Sequence, residues 1–257
     1  MVIARAGILS MIRRRMFLGL MIVAWFPFVY EAVKVYASTN FPQVAMLAPT
    51  AETFRDFLET QNLFVFFVAI YVGAGLIAND RRANALQIYL SKPLLRSEYI
   101  AGKAAILFFF LMLVTWFPAM LLLLLQVLFA GNFQFLQKNL FLIPAITVAS
   151  LLQVLLAAFT ILALSSLSKS SRYVAILFAG VIFFTLAIFG FMAAVTGSTA
   201  MSWISPTESA AQVRAVIFRL TPRYVTPWQV SLLVVLAFMA VSLSILERRV
   251  RGVEVVT

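Results

Sequence analysis

Long apolar stretches dominate the chain and determine its predicted secondary structure. Five of them carry no charged residue: 60–79, 104–137, 139–168, 173–207 and 224–246. A helix needs roughly 20 mostly apolar residues to cross the hydrocarbon layer of a membrane. Each stretch reaches that length, and none can hold two such helices with a turn between them. Each stretch therefore predicts one transmembrane span.

A sixth span is predicted near the N-terminus, after three consecutive arginines at positions 13–15. Its uncharged part ends at residue 30 and would cover only about 22 Å, at roughly 1.5 Å per helical residue. Extending the helix to residue 36 includes Glu31 and Lys34, which lie three residues apart on one helical face. We expect these two side chains to form an ion pair, which allows the longer span.

The N-terminal region has more than one interpretation. Ile8, Met11 and Ile12 follow helical spacing beside basic residues, as in a helix that lies on the inner membrane surface, but a frayed basic tail fits equally well. The region also has the layout of a signal peptide, with a cleavage site at Val35-Tyr36-Ala37. The length of the apolar stretch favours a retained span over a signal peptide.

Composition supports a membrane protein, because 63% of the residues are hydrophobic and only 11% are charged. The chain has 20 Lys and Arg residues against nine Asp and Glu residues. Six spans place both termini on one side, and fourteen basic residues lie on that side against five on the other. Basic loops are retained in the cytoplasm. We therefore predict that both termini, and the loops after spans 2 and 4, are cytoplasmic.

The predicted fold class is an all-α integral membrane protein with one transmembrane domain over residues 1–257. Its six transmembrane helices are expected at about 16–36, 61–79, 104–129, 140–166, 173–195 and 226–246. We also predict a cytoplasmic helix between spans 2 and 3 and an outer interfacial helix between spans 5 and 6.

The outer helix is predicted from Ser205-Pro206-Thr207-Glu208, a capping box with proline at the first helical position. Arg214 and Arg219 are expected to flank its apolar face, and Thr221-Pro222 to end it. The apolar face itself consists of Val213, Val216, Ile217 and Leu220.

The predicted cytoplasmic loop from Asn79 to Lys103 has the pattern of a helix, a break and a second helix. Asn79 or Asp80 is placed to cap the first helix, and Pro93 to end it. Arg81 and Arg82 follow the cap, although positive-inside anchoring alone would also explain them. One face of this helix carries Leu86, Tyr89 and Leu90.

This loop resembles that of ABC-2-type transporter permeases, in which a coupling helix between spans 2 and 3 precedes a proline, a basic residue and a Gly-Lys pair. Pro93, Arg96, Gly102 and Lys103 match that pattern. The C-terminal residues 246–256 are also similar to the tail of small bacterial permeases of this type. The ATPase-coupling residues that the resemblance implies are Asp80, Arg81, Arg82, Leu86, Tyr89, Leu90, Pro93 and Arg96.

The resemblance further implies an export complex of two six-span copies, identical or related, with two ABC ATPase subunits beneath them in the bacterial inner membrane. The chain contains no G-x-x-x-x-G-K-[ST] segment, which is the phosphate-binding loop of such ATPases. We therefore expect no enzymatic activity and no cofactor in this chain, with ATP bound by the partner subunit. Membrane lipids are expected partners and nucleic acid is not. The substrate does not follow from the sequence.

Three residues within the predicted spans are candidates for a substrate path. Glu31 is acidic near the membrane, where acidic groups usually have a role, but its pairing with Lys34 is a competing explanation. Trp25 and Trp116 fall near the middle of their spans. They either line a path or pack between helices.

Two patterns concern helix packing. The small residues Ala69 and Gly73 in span 2, and Ala175 and Ala179 in span 5, permit close helix contacts. Kinks are expected at the prolines within spans, which are Pro27, Pro118 and Pro144.

Several other functions are disfavoured. The chain has no Cys and no His, which removes thiol chemistry and the most common general base and metal ligand. The uncharged stretches of spans 2 to 6 leave no proton or cation site for an ion-coupled carrier, and no full residue set for an intramembrane enzyme is present. A noncatalytic membrane scaffold or assembly factor is the remaining alternative to a permease.

Overall fold

The computed structural model of the protein describes residues 2–41, 43, 46, 48–83, 96–131 and 133–251. Within these ranges the regular structure is helical, and six helices are long and apolar enough to cross a membrane. We number them as spans 1 to 6: Arg15–Asn40, Ala51–Arg82, Ser97–Ala130, Leu142–Leu167, Ser171–Thr196 and Trp228–Val250. The predicted all-α membrane architecture with six spans is confirmed.

Three of the spans consist of several helical segments. Span 1 contains Arg15–Ala24 and Phe26–Asn40. The helices of span 3 are Arg96–Val114, which begins one residue before the span, and Trp116–Ala130. Span 2 runs through Ala51–Val68, a π-helical turn at Ala69–Gly73, and Ala74–Arg82. The shorter helices are Val2–Ile12, Gln134–Lys138 and Pro206–Ile217, with a 3-10 turn at Ser202–Ile204, and the helix of span 6 continues to Arg251.

Span 4 lies at the centre of the bundle, where it packs against spans 2, 3, 5 and 6. It approaches span 2 closely at Gly73, where a β-carbon would lie only 2.7 Å from Ile161 Cγ2. Ala69 and Gly73 are both buried and delimit the π-helical turn. The small-residue pair of span 2 therefore permits a close helix contact, as predicted. Ala175 and Ala179 of span 5 are half-buried, and their role stays a prediction.

Spans 1 and 3 are interrupted at Trp25 and Thr115. Pro27 and Pro118 follow these positions and lack the N–H group that a helix interior needs for its backbone hydrogen bonds. The interruptions agree with the predicted kinks. The kink predicted at Pro144 is wrong, because span 4 is one helix from Leu142 and proline in a first turn removes no helical hydrogen bond.

Span 2 begins at Ala51, well before the start predicted near residue 61. Phe54, Phe57 and Leu58 are at most 2% exposed and pack with the ends of spans 1, 3 and 4. At the start of this helix the Thr50 N–H donates to Thr53 Oγ1 at 3.1 Å, and the Thr53 N–H donates to the Thr50 carbonyl at 3.1 Å. Burial of the aromatic side chains therefore extends the helix beyond the length that the membrane alone requires.

The N-terminal helix, Val2–Ile12, docks against span 3. Gly7 contacts Ile106 so closely that a β-carbon at residue 7 would overlap its side chain. This docking favours the helical interpretation of the N-terminal region over a frayed tail.

The helix Pro206–Ile217, which we call the loop helix, begins as its capping box predicts. The Glu208 N–H donates to Ser205 Oγ at 3.4 Å, and Pro206 occupies the first helical position. The loop helix packs mainly against span 6, and also against spans 4 and 5. Because it connects the end of span 5 to the start of span 6, it lies at the end of the bundle opposite to the end of span 2 and the start of span 3.

The loop helix ends at Ile217, before the predicted stop at Thr221-Pro222. Arg219 adopts a left-handed backbone conformation with φ 58°, and the N–H groups of Arg219 and Leu220 bond back to carbonyls of the last helical turn. The Arg219 guanidinium lies 4.4 Å from the centroid of the Phe141 ring. This contact holds a residue other than glycine in a backbone conformation that usually requires glycine.

Candidate functional site

The candidate site is the end of the bundle that carries most of the basic residues, here called the basic end. The N-terminal helix, the starts of spans 3 and 5 and the ends of spans 2 and 4 meet there. Span 2 continues as a helix to Arg82, so neither Asn79 nor Asp80 caps a new helix as the sequence suggested. The reason is that Ile77 and Ala78 are buried against the bundle, which extends the packed part of span 2.

Asp80 joins span 2 to span 3. Its Oδ2 accepts a hydrogen bond from the Tyr99 hydroxyl at 2.7 Å and lies 2.7 Å from Lys103 Nζ in an ion pair. The side chains of Asp80 and Lys103 are only 18% and 11% exposed, so loss of either partner would leave a largely buried charge. Lys103 belongs to the Gly-Lys pair, and sequence reasoning missed its partner because 23 positions separate the two residues along the chain.

Arg81 and Ser165 join span 2 to span 4. Arg81 Nη1 donates to the carbonyl of Ser166. Ser165 Oγ accepts hydrogen bonds from the N–H groups of Ile77 and Ala78 at 3.2 and 3.0 Å, and donates to a backbone carbonyl of span 2 at 2.9 Å. One hydroxyl therefore binds three backbone groups just after the π-helical turn. The last turns of span 2 are attached to span 4 as well as to span 3.

Arg82 is exposed, in contrast to Asp80 and Arg81, which are half-buried. The first helix of span 3 begins at Arg96. The remaining coupling residues lie outside the described residues, and their role stays a prediction: Leu86, Tyr89, Leu90 and Pro93.

A cavity of about 430 Å³ with charged residues in its wall lies at the basic end, between the N-terminal helix and spans 2, 3 and 5. Asp80 and Lys103 line it, together with Asn79, Arg14 and Arg172. The Asp80–Lys103 ion pair therefore forms part of the cavity wall, at the end of span 2 and the start of span 3.

The two mid-span tryptophans lie at the helix interruptions. The Trp25 ring lies 5.8 Å from the Phe117 ring, which brings the break in span 1 against the break in span 3. Trp116 Nε1 donates to Thr147 Oγ1 of span 4 at 3.1 Å. Each tryptophan packs an interrupted helix against a neighbour. Trp25 also lines an open apolar groove between spans 1 and 3.

Glu31 forms the predicted ion pair. Its carboxylate lies 2.9 Å from Lys34 Nζ, within one turn of span 1. The same ammonium lies 5.4 Å from the centroid of the Tyr30 ring. Glu31 therefore has a partner on its own helix. This ion pair is separate from the contacts of Asp80 with Tyr99 and Lys103 at the basic end.

A second cavity, of about 280 Å³, lies beneath the loop helix at the opposite end, between spans 2, 4 and 5. Arg214 lines it and is 2% exposed, whereas the sequence analysis placed this side chain beside the apolar face. The sequence did contain a signal for this burial. Arg214 lies four residues after Ala210 and three before Ile217, so it shares a helical face with both, and that face packs against the bundle. Burial, opposed by the carboxylates of Glu59 and Glu208, lowers the pKa of Arg214 to about 10, so the group stays charged at neutral pH.

Gln212 fixes the segment that follows the loop helix. Its Nε2 donates to the carbonyls of Tyr224 and Thr226 at 3.0 and 2.8 Å, and its Oε1 accepts from the Tyr224 N–H at 2.9 Å. The Tyr224 hydroxyl donates to the Glu208 carboxylate. Burial and this carboxylate raise the pKa of the Tyr224 hydroxyl above its usual range. The loop helix and the chain leading into span 6 therefore form one hydrogen-bonded unit.

Comparison with protein families gives a match over nearly the whole chain. The family model described as "ABC-2 family transporter protein" matches residues 1–250. This range includes all six spans, the loop helix and the described residues of the basic end. No curated protein matches the chain.

Proposed function

Because the chain belongs to the ABC-2 family of transporters, as a permease subunit of an ABC transporter, we propose that it couples ATP hydrolysis by a separate subunit to the export of a substrate. The observation that carries the coupling proposal is the attachment at the end of span 2. Asp80 ties this end to Lys103 of span 3, and Arg81 ties it to Ser166 of span 4.

An ABC ATPase and a further permease copy are the partners that the family implies. We propose two ATPase copies beneath a pair of six-span chains, identical or related, in the bacterial inner membrane. The basic end faces the cytoplasm in this arrangement, since fourteen basic residues lie on its side of the membrane. ATP is bound by the partner subunit, and this chain needs no cofactor of its own.

The coupling residues divide into two roles in this proposal. Arg82 is exposed at the start of the connecting loop and, with Leu86, Tyr89 and Leu90, contacts the ATPase. Asp80 and Arg81 pass the resulting displacement to spans 3 and 4. The π-helical turn at Ala69–Gly73 lies between this attached end and the rest of span 2, and such turns are frequent at functional positions.

Movement of the attached end shifts the bundle between conformations that open to opposite sides. ATP binding favours one of these conformations only if the ATPase contacts the loop between spans 2 and 3 differently in the two conformations. The apolar spans favour an amphipathic cargo over a small ion, because the described spans offer few polar groups to replace water around an ion.

The test is co-purification with the ATP-binding subunit encoded in the neighbouring reading frame, followed by an ATPase assay. Arg82→Glu and Leu86→Asp should each reduce the retained ATPase at least about tenfold, as substitutions at a buried interface centre do. Arg248→Glu is the matched control, because this exposed arginine carries the same charge change on span 6. The thermal unfolding midpoint of all three permease variants should stay at the wild-type value.

Arg81→Glu should behave differently. Its guanidinium binds the Ser166 carbonyl, so the substitution should lower the unfolding midpoint of the permease itself. Full retention and normal stimulation of the ATPase by Arg82→Glu and Leu86→Asp would contradict the coupling assignment. A chain that retains no ATP-binding subunit would favour the scaffold interpretation.

A further inference from the structure

The cavity beneath the loop helix has a mostly apolar wall. Phe66, Phe178 and Phe238 contribute to it from spans 2, 5 and 6. Leu63 and Phe183 also line it and are each 56% exposed, so the cavity opens sideways to the apolar surface of the bundle. Its volume of about 280 Å³ lies near the lower limit of small-molecule sites, roughly 300 Å³. A longer apolar chain would extend through this opening into the membrane.

Arg214 and Glu208 are the two charged residues in the wall of this mostly apolar cavity. The Arg214 side chain is 2% exposed, and its Nη1 has no hydrogen-bond partner in the described part of the protein. A buried cation is costly to desolvate and is normally paired in proteins. The carboxylates of Glu59 and Glu208 offset part of this cost, but neither accepts a hydrogen bond from Nη1, which leaves this donor open to a ligand.

The neighbouring carboxylates already have other partners. Glu59 forms an ion pair with Arg223 at 2.9 Å, and Glu208 accepts a hydrogen bond from the Tyr224 hydroxyl. A second polar atom in the cavity wall, Gln153 Oε1, is also buried without a partner among the described residues. The cavity thus offers a cationic donor and a neutral acceptor to a ligand.

We propose that this cavity binds a single-chain amphiphile with an acidic head group, of the phosphate monoester or carboxylate class. The acidic group binds the Arg214 guanidinium, and a hydroxyl of the head group donates to Gln153 Oε1. The acyl chain lies along the phenylalanine wall and leaves the cavity between Leu63 and Phe183. Binding of this ligand needs no ATPase, so it can be measured on the permease chain by itself.

The experiment is a native mass spectrometry titration of the purified full-length chain in a neutral detergent. The probes are 1-oleoyl-lysophosphatidate, 1-oleoylglycerol and inorganic phosphate, which separate the charge of the head group from the acyl chain. We expect lysophosphatidate to bind at least about tenfold more tightly than either other probe. Arg214→Gln should remove this preference and leave the affinity for 1-oleoylglycerol within about twofold of its wild-type value.

Further variants separate binding from folding. Glu208→Gln should tighten the binding of lysophosphatidate, because it removes a negative charge from the cavity wall, and Ala157→Phe should weaken both lipids by filling the cavity. Arg219→Gln is the matched control, since this arginine is exposed at the end of the same helix. The unfolding midpoint of lipid-free Arg214→Gln should be no lower than that of the wild type, because the guanidinium contributes no hydrogen bond through Nη1.

Three results would overturn the proposal. Equal affinities for lysophosphatidate and 1-oleoylglycerol would show that the charge is not recognised. An unchanged preference in Arg214→Gln would place the anion elsewhere. Inorganic phosphate that binds as tightly as lysophosphatidate would indicate a simple anion site without use of the apolar wall. None of these results depends on the coupling assignment, which concerns the opposite end of the bundle.

Discussion

Spans 2, 3 and 4 and spans 1, 5 and 6 are equally apolar helices with opposite surroundings. The mean hydropathy is 1.9, 2.5 and 2.3 in the first set and 1.8, 2.6 and 2.4 in the second. The buried share of these apolar windows is 56, 56 and 61% in the first set, against 11, 17 and 22% in the second. Spans 2 to 4 therefore form the centre of the bundle, and spans 1, 5 and 6 its periphery.

The difference shows that hydropathy reports compatibility with lipid and does not report which helices pack together. Hydrophobicity gives no driving force for association within a membrane, so close packing and polar contacts decide it. The central helices have both, through Gly73, Ser165 and the Asp80–Lys103 pair. The periphery exposes large side chains such as Phe184 and Phe191 of span 5, which suit lipid or the second permease copy that the family implies.

The largest expected difference between centre and periphery concerns their ion pairs. Asp80→Asn leaves Lys103 buried without its counter-charge and should lower the free energy of unfolding by about 3 kcal/mol. Glu31→Gln removes an ion pair within a single helix of span 1 and should cost only about 0.5 kcal/mol. Thermal unfolding of the purified variants in detergent measures both. A double-mutant cycle of Asp80→Asn with Lys103→Met checks that the larger cost comes from their interaction, and equal effects at the two pairs would contradict the comparison.

A matched pair of glycine substitutions should give effects of opposite sign. Gly73→Ala places a methyl group 2.7 Å from Ile161 Cγ2 and should destabilise the protein by about 1 to 2 kcal/mol through overpacking. Gly180→Ala in span 5 meets no atom within 4 Å and should stabilise its helix by roughly 0.5 to 1 kcal/mol. Denaturant titration of both variants in the same detergent is the measurement. A stabilised Gly73→Ala variant would mean that span 2 does not contact span 4 as described.

The smallest effect is expected at Arg219, which belongs to neither set of spans. Arg219→Gly relieves a left-handed conformation, worth about 1 kcal/mol, and loses the contact with the Phe141 ring, worth about 0.5 to 1 kcal/mol. The two terms nearly cancel, so the unfolding free energy should change by no more than about 0.5 kcal/mol. Arg219→Ala keeps the strain and loses the ring contact, and should therefore be the less stable of the two variants in thermal unfolding. The reverse order would contradict this balance.

The candidate sites were only partly predictable from sequence. The sequence predicts a functional loop between spans 2 and 3 because its proline and basic residues are local patterns, and this remains a prediction. The Glu31–Lys34 pair was predictable because both residues share one helical turn. The partners of Asp80 and Arg81 lie on other spans, and no local pattern specifies them. The sequence predicts Arg214 beside the apolar face, because Val213, Val216, Ile217 and Leu220 share that face and Arg214 falls next to it. Its burial depends on how the loop helix, with small residues such as Ala210 and Ala215, packs against spans 4 and 6.

The sequence by itself determined that the chain crosses a membrane six times, where the loop helix begins and that spans 1 and 3 are interrupted. These features depend on the thickness of the hydrocarbon layer, on capping residues and on the missing N–H of proline. Each of them can be read from one continuous segment of the chain. The tertiary structure alone decided which spans form the centre, where span 2 starts and which charges are buried. Those outcomes depend on contacts between residues far apart in the chain, such as Gly73 with Ile161 and Asp80 with Lys103, and equally apolar helices carry no signal that distinguishes them.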